Sequence, residues 1–302
     1  MACVRSNSTP NPNFNLIPKG EVGDDFTFPL IPPEASNHHP ADHSKTSWKA
    51  LKVNFKSNNK VFPVRVGGEE FLRVAVLYSG GKDSNLTVWR LLKDGYELAL
   101  LITVRPANPE SWMFHRPCVE FTPLQGEALG IPVRIVEVSG EKEREVEELL
   151  EAVRRLKREY GLEGLACGAI QSQYQRSRVE RICSQLKLKM LSPLWGNPPE
   201  SLLEELLSLR FDVVFTSVSA LGLDERWLGR RLDREALKEL KALGEKFRFN
   251  LALDGGEAET FVREACFFKR RVELEGLEKV WLGDWGYLKV SGAKLTSKRY
   301  SS

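Results

Sequence analysis

Residues 73–92, RVAVLYSGGKDSNLTVWRLL, constrain the fold more than any other stretch of this 302-residue chain. Val74 to Tyr78 is a short apolar run of strand formers and reads as a buried parallel strand. It leads into Ser79-Gly80-Gly81-Lys82-Asp83-Ser84, after which Leu86, Trp89 and Leu92 recur at helical spacing until Gly95 stops the helix. A strand that passes through a glycine turn into a helix builds an anion site. Glycines allow positive φ and close approach, and the amides at the helix start, with the macrodipole behind them, favour negative charge. Lys82 adds a cation, and Ser79 and Ser84 add hydroxyl donors. The Walker pattern does not fit, because Lys82 is followed by Asp83 and the earlier glycine is missing; nor does a G-x-G-x-x-G turn. The plain alternative is a glycine turn with an incidental lysine.

The same alternation continues. Glu97–Val104, Arg134–Val138 and Leu165–Ile170 read as strands, separated by helical segments over about 118–129 and 143–160, and followed by GAIQSQYQRSRVERICSQLKL at 168–188, in which Val179, Ile182, Cys183 and Leu186 face a core. Strands alternating with helices at this spacing imply a parallel sheet covered on both sides. Ligands of such sheets sit at the carboxyl ends of the strands, where Ser79, His115 and Gln171 to Tyr174 fall. PLWGNPP at 193–199 reads as a linker. Beyond it we expect a helix at 201–209, a strand at 213–218, a helix at 234–247 and a strand over Phe249–Leu253, then several short strands.

Between these lies Asp254-Gly255-Gly256-Glu257-Ala258-Glu259-Thr260. In an extended chain Glu257 and Glu259 share a face, and like charges side by side repel. The arrangement is best tolerated beside a metal or another positive group; a plain hairpin is the alternative.

A net charge of +3 is too small to argue for a nucleic-acid partner. No run of about 18 apolar residues suggests a membrane span, and no secretory signal is visible, so a cytoplasmic protein is expected. Cys3, Cys118, Cys167, Cys183 and Cys266 are scattered and never spaced C-x-x-C, which fits reduced thiols. Residues 1–70 begin with a tract rich in Asn, Pro, Ser and His that cannot bury enough apolar surface to order, so they read as a disordered or non-native extension. His38, His39 and His43 there read as solvated.

SGGKDS after a strand resembles the PP-loop of the ATP pyrophosphatases. Six further stretches make the chain similar to the diphthine–ammonia ligase family in its archaeal-type two-domain form: SWMFH at 111–115, LQGEALGIP at 124–132, YQRSRVE at 174–180, SPLWG at 192–196, SALGLDERWLGRRLD at 219–233 and GGEAETFV at 255–262. This resemblance places the natural start near Leu72. It implies a Rossmann-like, HUP-type parallel-sheet ATP-binding domain at 71–196, a second, smaller α/β substrate domain at 197–292 and a tail at 293–302.

The implied reaction amidates diphthine on translation elongation factor 2 with ammonium, through an acyl-adenylate, releasing AMP and pyrophosphate. Ser79, Gly80, Gly81, Lys82, Asp83, Ser84 and His115 would hold ATP, with Mg2+ near Asp83. Lys82, Asp83, Glu257 and Glu259 would act in catalysis. Asp254, Gly255, Gly256, Glu257, Glu259, Thr260, Tyr174 and Arg178 would meet the substrate, with Trp112, Trp195 and Trp227 as candidate cage aromatics for its quaternary ammonium. Leu253 and Asp254 stand where the family pattern G-E-G-G-E has Gly and Glu. Lys82 is expected to be exposed at its loop, and its burial in a structural salt bridge would count against the assignment. A homodimer is a further expectation. Two rivals stay open: a tRNA-modifying PP-loop enzyme, disfavoured by the absence of paired cysteines, and a non-catalytic nucleotide-binding regulator.

Overall fold

The computed structural model describes residues 72–107, 118–141 and 143–299. The expectations for residues 1–70, Trp112 and His115 lie outside them. The first half is a five-stranded sheet of β1 (Arg73–Leu77), β2 (Glu97–Pro106), β3 (Val133–Val138), β4 (Gly164–Ala166) and β5 (Lys189–Leu191), in the order β3-β2-β1-β4-β5. Every pairing is parallel. Helices α1 (Lys82–Lys93), α2 (Thr122–Leu129), α3 (Arg144–Tyr160) and α4 (Gln173–Leu186) connect the strands.

Central β1 is apolar from Val74 to Leu77 because both its faces are covered. Val74 and Val76 join Leu86, Val88 and Leu91 of α1 in one core. Ala75 joins Leu100, Val153, Leu165 and Ile182 in another. Each fully buried Val or Leu contributes about 1.5–3 kcal/mol, so the strand and helix are held from both sides and the turn between them has little freedom.

The second half contains α5 (Pro199–Ser208), β6 (Asp212–Val218), α6 (Arg234–Phe247), β7 (Ala258–Glu264), β8 (Arg271–Trp281) and β9 (Gly286–Thr296). Its sheet runs β7-β6-β9-β8 and is antiparallel. The core on the α1 side continues into it, taking in Phe211, Phe215, Trp227, Leu240 and Phe261. Strand β9 reaches Thr296, so residues 293–296 belong to the sheet and not to a tail.

The expected strand over Phe249–Leu253 does not form. Arg248 (φ 64°) and Leu253 (φ 57°) both lie in the left-handed region, and the Asn250 side-chain oxygen accepts the Ala252 amide at 2.9 Å. Such an Asx-type bond closes a turn where apolar content alone suggests extension. The short β5 was not anticipated. Its three residues leave too little alternation to read.

Candidate active site

The turn after β1 and the strand β7 meet directly. Gly80 takes φ 81°, and its carbonyl accepts the Val262 amide of β7 at 3.0 Å. The Lys82 amide donates to the Thr260 hydroxyl at 3.1 Å, and a Cβ at Gly81 would stand 3.0 Å from the Thr260 carbonyl. A side chain at either glycine would therefore disturb the joint: φ forbids it at 80 and space at 81. Gln125 of α2, fully buried, donates to the carbonyls of Gly80 (2.9 Å) and Val262 (2.7 Å). Sequence reasoning placed Gln125 only within a family motif and gave it no role.

Lys82 departs from expectation: it is buried in an ion pair, the outcome named above as counting against the assignment. It is only 3% exposed, and its Nζ donates to Asp83 Oδ2 at 2.7 Å and to the Ala252 carbonyl at 2.6 Å. The 250–254 loop supplies that carbonyl. An ammonium has three protons, so two are engaged by Asp83 and Ala252 and the third has no partner among the described residues. Thr260 likewise serves the loop through its hydroxyl. Ser84 turns its hydroxyl back to the Gly81 carbonyl at 3.0 Å, and Ser79 Oγ lies 3.4 Å from the Gly81 amide. No carbonyl ties up these amides: Lys82 N and Gly81 N go to hydroxyls, and those of Gly80, Asp83 and Ser84 have no partner among the described residues.

Asp83 is where the two halves meet electrostatically. Desolvation raises its carboxyl above the usual range; Lys82 opposes that shift, and Asp254 and Glu259 add to it. The side chain keeps 24% exposure, so solvent screening moderates all of these effects. Asp254 is positioned by the Gln171 amide, 3.1 Å from its Oδ2, and Gln171 in turn accepts from Asn250 at 2.9 Å. Three carboxylates, Asp83, Asp254 and Glu259, thus lie within electrostatic reach of one another, with Lys82 paired to the first.

Glu257 and Glu259 are both half-buried on either side of buried Ala258, the alternation expected of an extended run. Gly256 (φ 93°) precedes them, and the Glu257 carboxylate folds back onto the Gly255 amide at 2.9 Å. The Gly256 carbonyl accepts from Ser219 at 2.6 Å, which anchors the turn to the loop after β6.

The remaining candidates fare differently. Tyr174 is 48% exposed at the start of α4. Arg178 is engaged by Glu143 at 2.6 Å and by the Tyr174 carbonyl at 3.3 Å, so it braces the helix start. Trp227 is a core residue, fully buried edge-on to Phe215 at 5.0 Å, with the Arg230 guanidinium over its ring at 4.4 Å. Trp195 has Arg176 over its ring at 4.3 Å. Trp227 has no open face for a cage, and one face of the half-buried Trp195 is taken by Arg176. A concavity of about 460 Å³ lined by Arg226, Leu228, Arg230, Leu277, Lys279 and Leu288 belongs to the antiparallel sheet and contains none of the residues named for the site.

No three His, Cys, Asp or Glu among the described residues group closely enough to hold a metal ion. Burial raises the thiols of Cys118 and Cys183, the latter to about 12, which leaves both unreactive. No described helix is long and apolar enough to cross a membrane.

Comparison with known proteins falls on both halves. Residues 72–190 match the diphthamide synthase N-terminal domain and residues 198–296 its C-terminal domain. A diphthine–ammonia ligase of Rattus norvegicus is 32% identical over 251 residues, covering 75% of this chain and 94% of that protein. The Homo sapiens protein of that name is 32% identical over 228 residues, covering 69% and 85%. A solved "predicted subunit of tRNA methyltransferase" from Methanocaldococcus jannaschii is 21% identical, with a TM-score of 0.34 over 65% of this chain and 100% of that one, too slight a likeness to bear on function. With both domain models matched in order and relatives aligned over most of their own length, the chain belongs to the diphthamide synthase family.

Proposed function

We propose that this chain is an ATP-dependent diphthine–ammonia ligase. One observation carries the reading: the glycine turn and the acidic turn are parts of a single site, joined by Lys82 to Thr260 and Ala252 and by the mutual influence of Asp83, Asp254 and Glu259. An anion site beside a carboxylate cluster suits a reaction that joins a triphosphate to a cationic substrate.

In this reading residues 71–196 bind ATP and 197–296 the protein carrying diphthine, which we take to be translation elongation factor 2 in the cytoplasm. The diphthine carboxylate attacks the α-phosphorus of ATP, and the bond to the bridging oxygen breaks to release pyrophosphate. Ammonia then attacks the acyl carbon, AMP leaves with the carboxylate oxygen, and the nitrogen loses a proton to give the amide. The Gly80, Gly81, Asp83 and Ser84 amides and the third proton of Lys82 neutralise charge growing on the leaving pyrophosphate. Asp254 and Glu259 attract the trimethylammonium group and hold the diphthine carboxylate in line. The Mg2+ that resemblance implies would come with the triphosphate and take Asp83 as its protein ligand, since magnesium is commonly held by one or two carboxylates plus phosphates; it would screen charge between the phosphates.

The test is to incubate the protein with ATP, magnesium and ammonium, with and without diphthine-bearing elongation factor. AMP is expected only with the factor. ADP, or AMP driven by tRNA, rejects the reading.

A further inference from the structure

The Gly80 carbonyl is unusually well held. Three donors converge on it: Val262 N at 3.0 Å, Gln125 Nε2 at 2.9 Å and Asn85 Nδ2 at 3.1 Å. A carbonyl oxygen offers two lone pairs, so three donors fix the plane of the Gly80–Gly81 peptide. In a trans peptide the carbonyl and the following N–H point in opposite directions. With the oxygen clamped between α2 and β7, the Gly81 N–H faces the other way, toward the Ser79 hydroxyl.

Gln125 is the part of this clamp that sequence does not explain as packing. Both partners of its Nε2, the carbonyls of Gly80 and Val262, can only accept, so the amide cannot be turned over. Its Oε1 is consequently buried with no partner, close against Gly80, where a Cβ would lie 2.4 Å from it. An orphaned buried acceptor is unfavourable, and a leucine would fill the space without that cost. The clamp, and the geometry it imposes on the loop, is what the glutamine supplies in return.

We propose that Gln125 is a positioning residue that aims the Gly81 amide at the pyrophosphate half of the nucleotide and ties that aim to β7, the strand that also carries Glu259 and Thr260. This rests on the loop's use for ATP given above and adds a residue to it. Asn85 alone cannot do the same. It lies within α1 and holds the Gly80 carbonyl only from the first half of the chain, whereas Gln125 bonds both sides of the joint.

The full chain carries the test, with Gln125→Leu and Gln125→Glu. Inorganic pyrophosphate binding is measured by calorimetry, alongside KM for ATP, KM for the elongation factor and kcat. Gln125→Leu is expected to weaken pyrophosphate and raise KM for ATP about 10- to 100-fold, the range one lost hydrogen bond to an ionised group spans. KM for the factor should move less than about 3-fold. Gln125→Glu separates aiming from packing. Ionised, it has no proton to donate and sets negative charge against two carbonyls; protonated, it regains one donor. Its KM for ATP should fall relative to wild type as pH drops from about 8 to about 5.5, toward the range of a buried carboxyl, while Gln125→Leu shows no such recovery.

An unchanged KM for ATP in Gln125→Leu, or parallel pH profiles for the two variants, overturns the proposal. Should neither variant fold, the wild-type Gly81 amide resonance decides: pyrophosphate must shift it, and an unmoved signal overturns the proposal. A wild-type chain that binds neither pyrophosphate nor ATP sinks the ligase reading and this inference together. Normal wild-type binding with indifferent variants sinks this inference alone.

Discussion

Replacing Lys82 by methionine is expected to slow AMP formation about 100- to 1,000-fold, the usual cost of removing one preorganised group that stabilises developing charge. The structure adds a second consequence. Lys82 is the cation that opposes the raised carboxyl of Asp83, on which Asp254 and Glu259 also act, so the variant leaves Asp83 without that ion pair. Asp83 already has its carboxyl raised by burial, and removing the lysine raises it further. A carboxyl whose folded pKa exceeds its unfolded value takes up protons on folding, so folding is favoured at low pH and the benefit is lost as pH rises through the folded value. Lys82→Met should therefore melt well below wild type near pH 8, and the gap should narrow toward pH 5. Adding Asp83→Asn should restore melting near pH 8 without restoring the rate. Melting curves across pH, with single-turnover AMP assays on the same samples, separate the two roles. A double variant that recovers both rate and stability would make Lys82 merely structural.

The largest effect on stability is expected far from the loop. Arg271 is 1% exposed and bonds Asp212, itself 2% exposed; Asp212 also accepts from Arg263 at 2.9 Å, and Glu264 lies 3.4 Å from Arg271. Burial alone would push the Asp212 carboxyl up, but Arg263 and Arg271 outweigh it and hold the group below its ordinary value. Asp212→Asn removes the buried carboxylate shared by Arg263 and Arg271 and leaves Arg271 with Glu273 and Glu264. Breaking such a buried pair costs about 3–5 kcal/mol, or roughly 6–20 °C in melting temperature for a domain of this size. The depressed pKa gives the pH sign: the contribution is present above the unfolded carboxyl range and is lost as pH falls below about 4. Calorimetric melting checks this, and an unchanged transition would show the network to be dispensable.

The sequence revealed what depends on local period and lost what depends on distant neighbours. The switch from β1 to α1 shows because the apolar spacing changes across two glycines. Helix α6 was read with the boundaries it has, Arg234–Phe247, because its apolar stripe is bounded by Asp233, whose side chain caps the Ala236 amide at 2.8 Å. The burial of Lys82 could not be read, since its carbonyl partner lies 170 residues further on. Gln125 was equally hidden, its two bonds reaching 45 residues back and 137 forward. The bond that turns the Glu257 carboxylate onto the Gly255 amide follows from the left-handed Gly256, which strand alternation does not reveal. Phe249–Leu253 looked like a strand because its residues are apolar, while the deciding feature was one asparagine folding onto its own backbone.

The most direct test of the chemistry is to follow oxygen. Elongation factor whose diphthine carboxylate carries 18O is turned over once with ATP and ammonium, and the AMP released is weighed by mass spectrometry. If the carboxylate attacks the α-phosphorus held beside the β1 turn, one labelled oxygen appears in AMP. Label in inorganic phosphate, accompanied by ADP, would place the attack on the terminal phosphorus and contradict the mechanism.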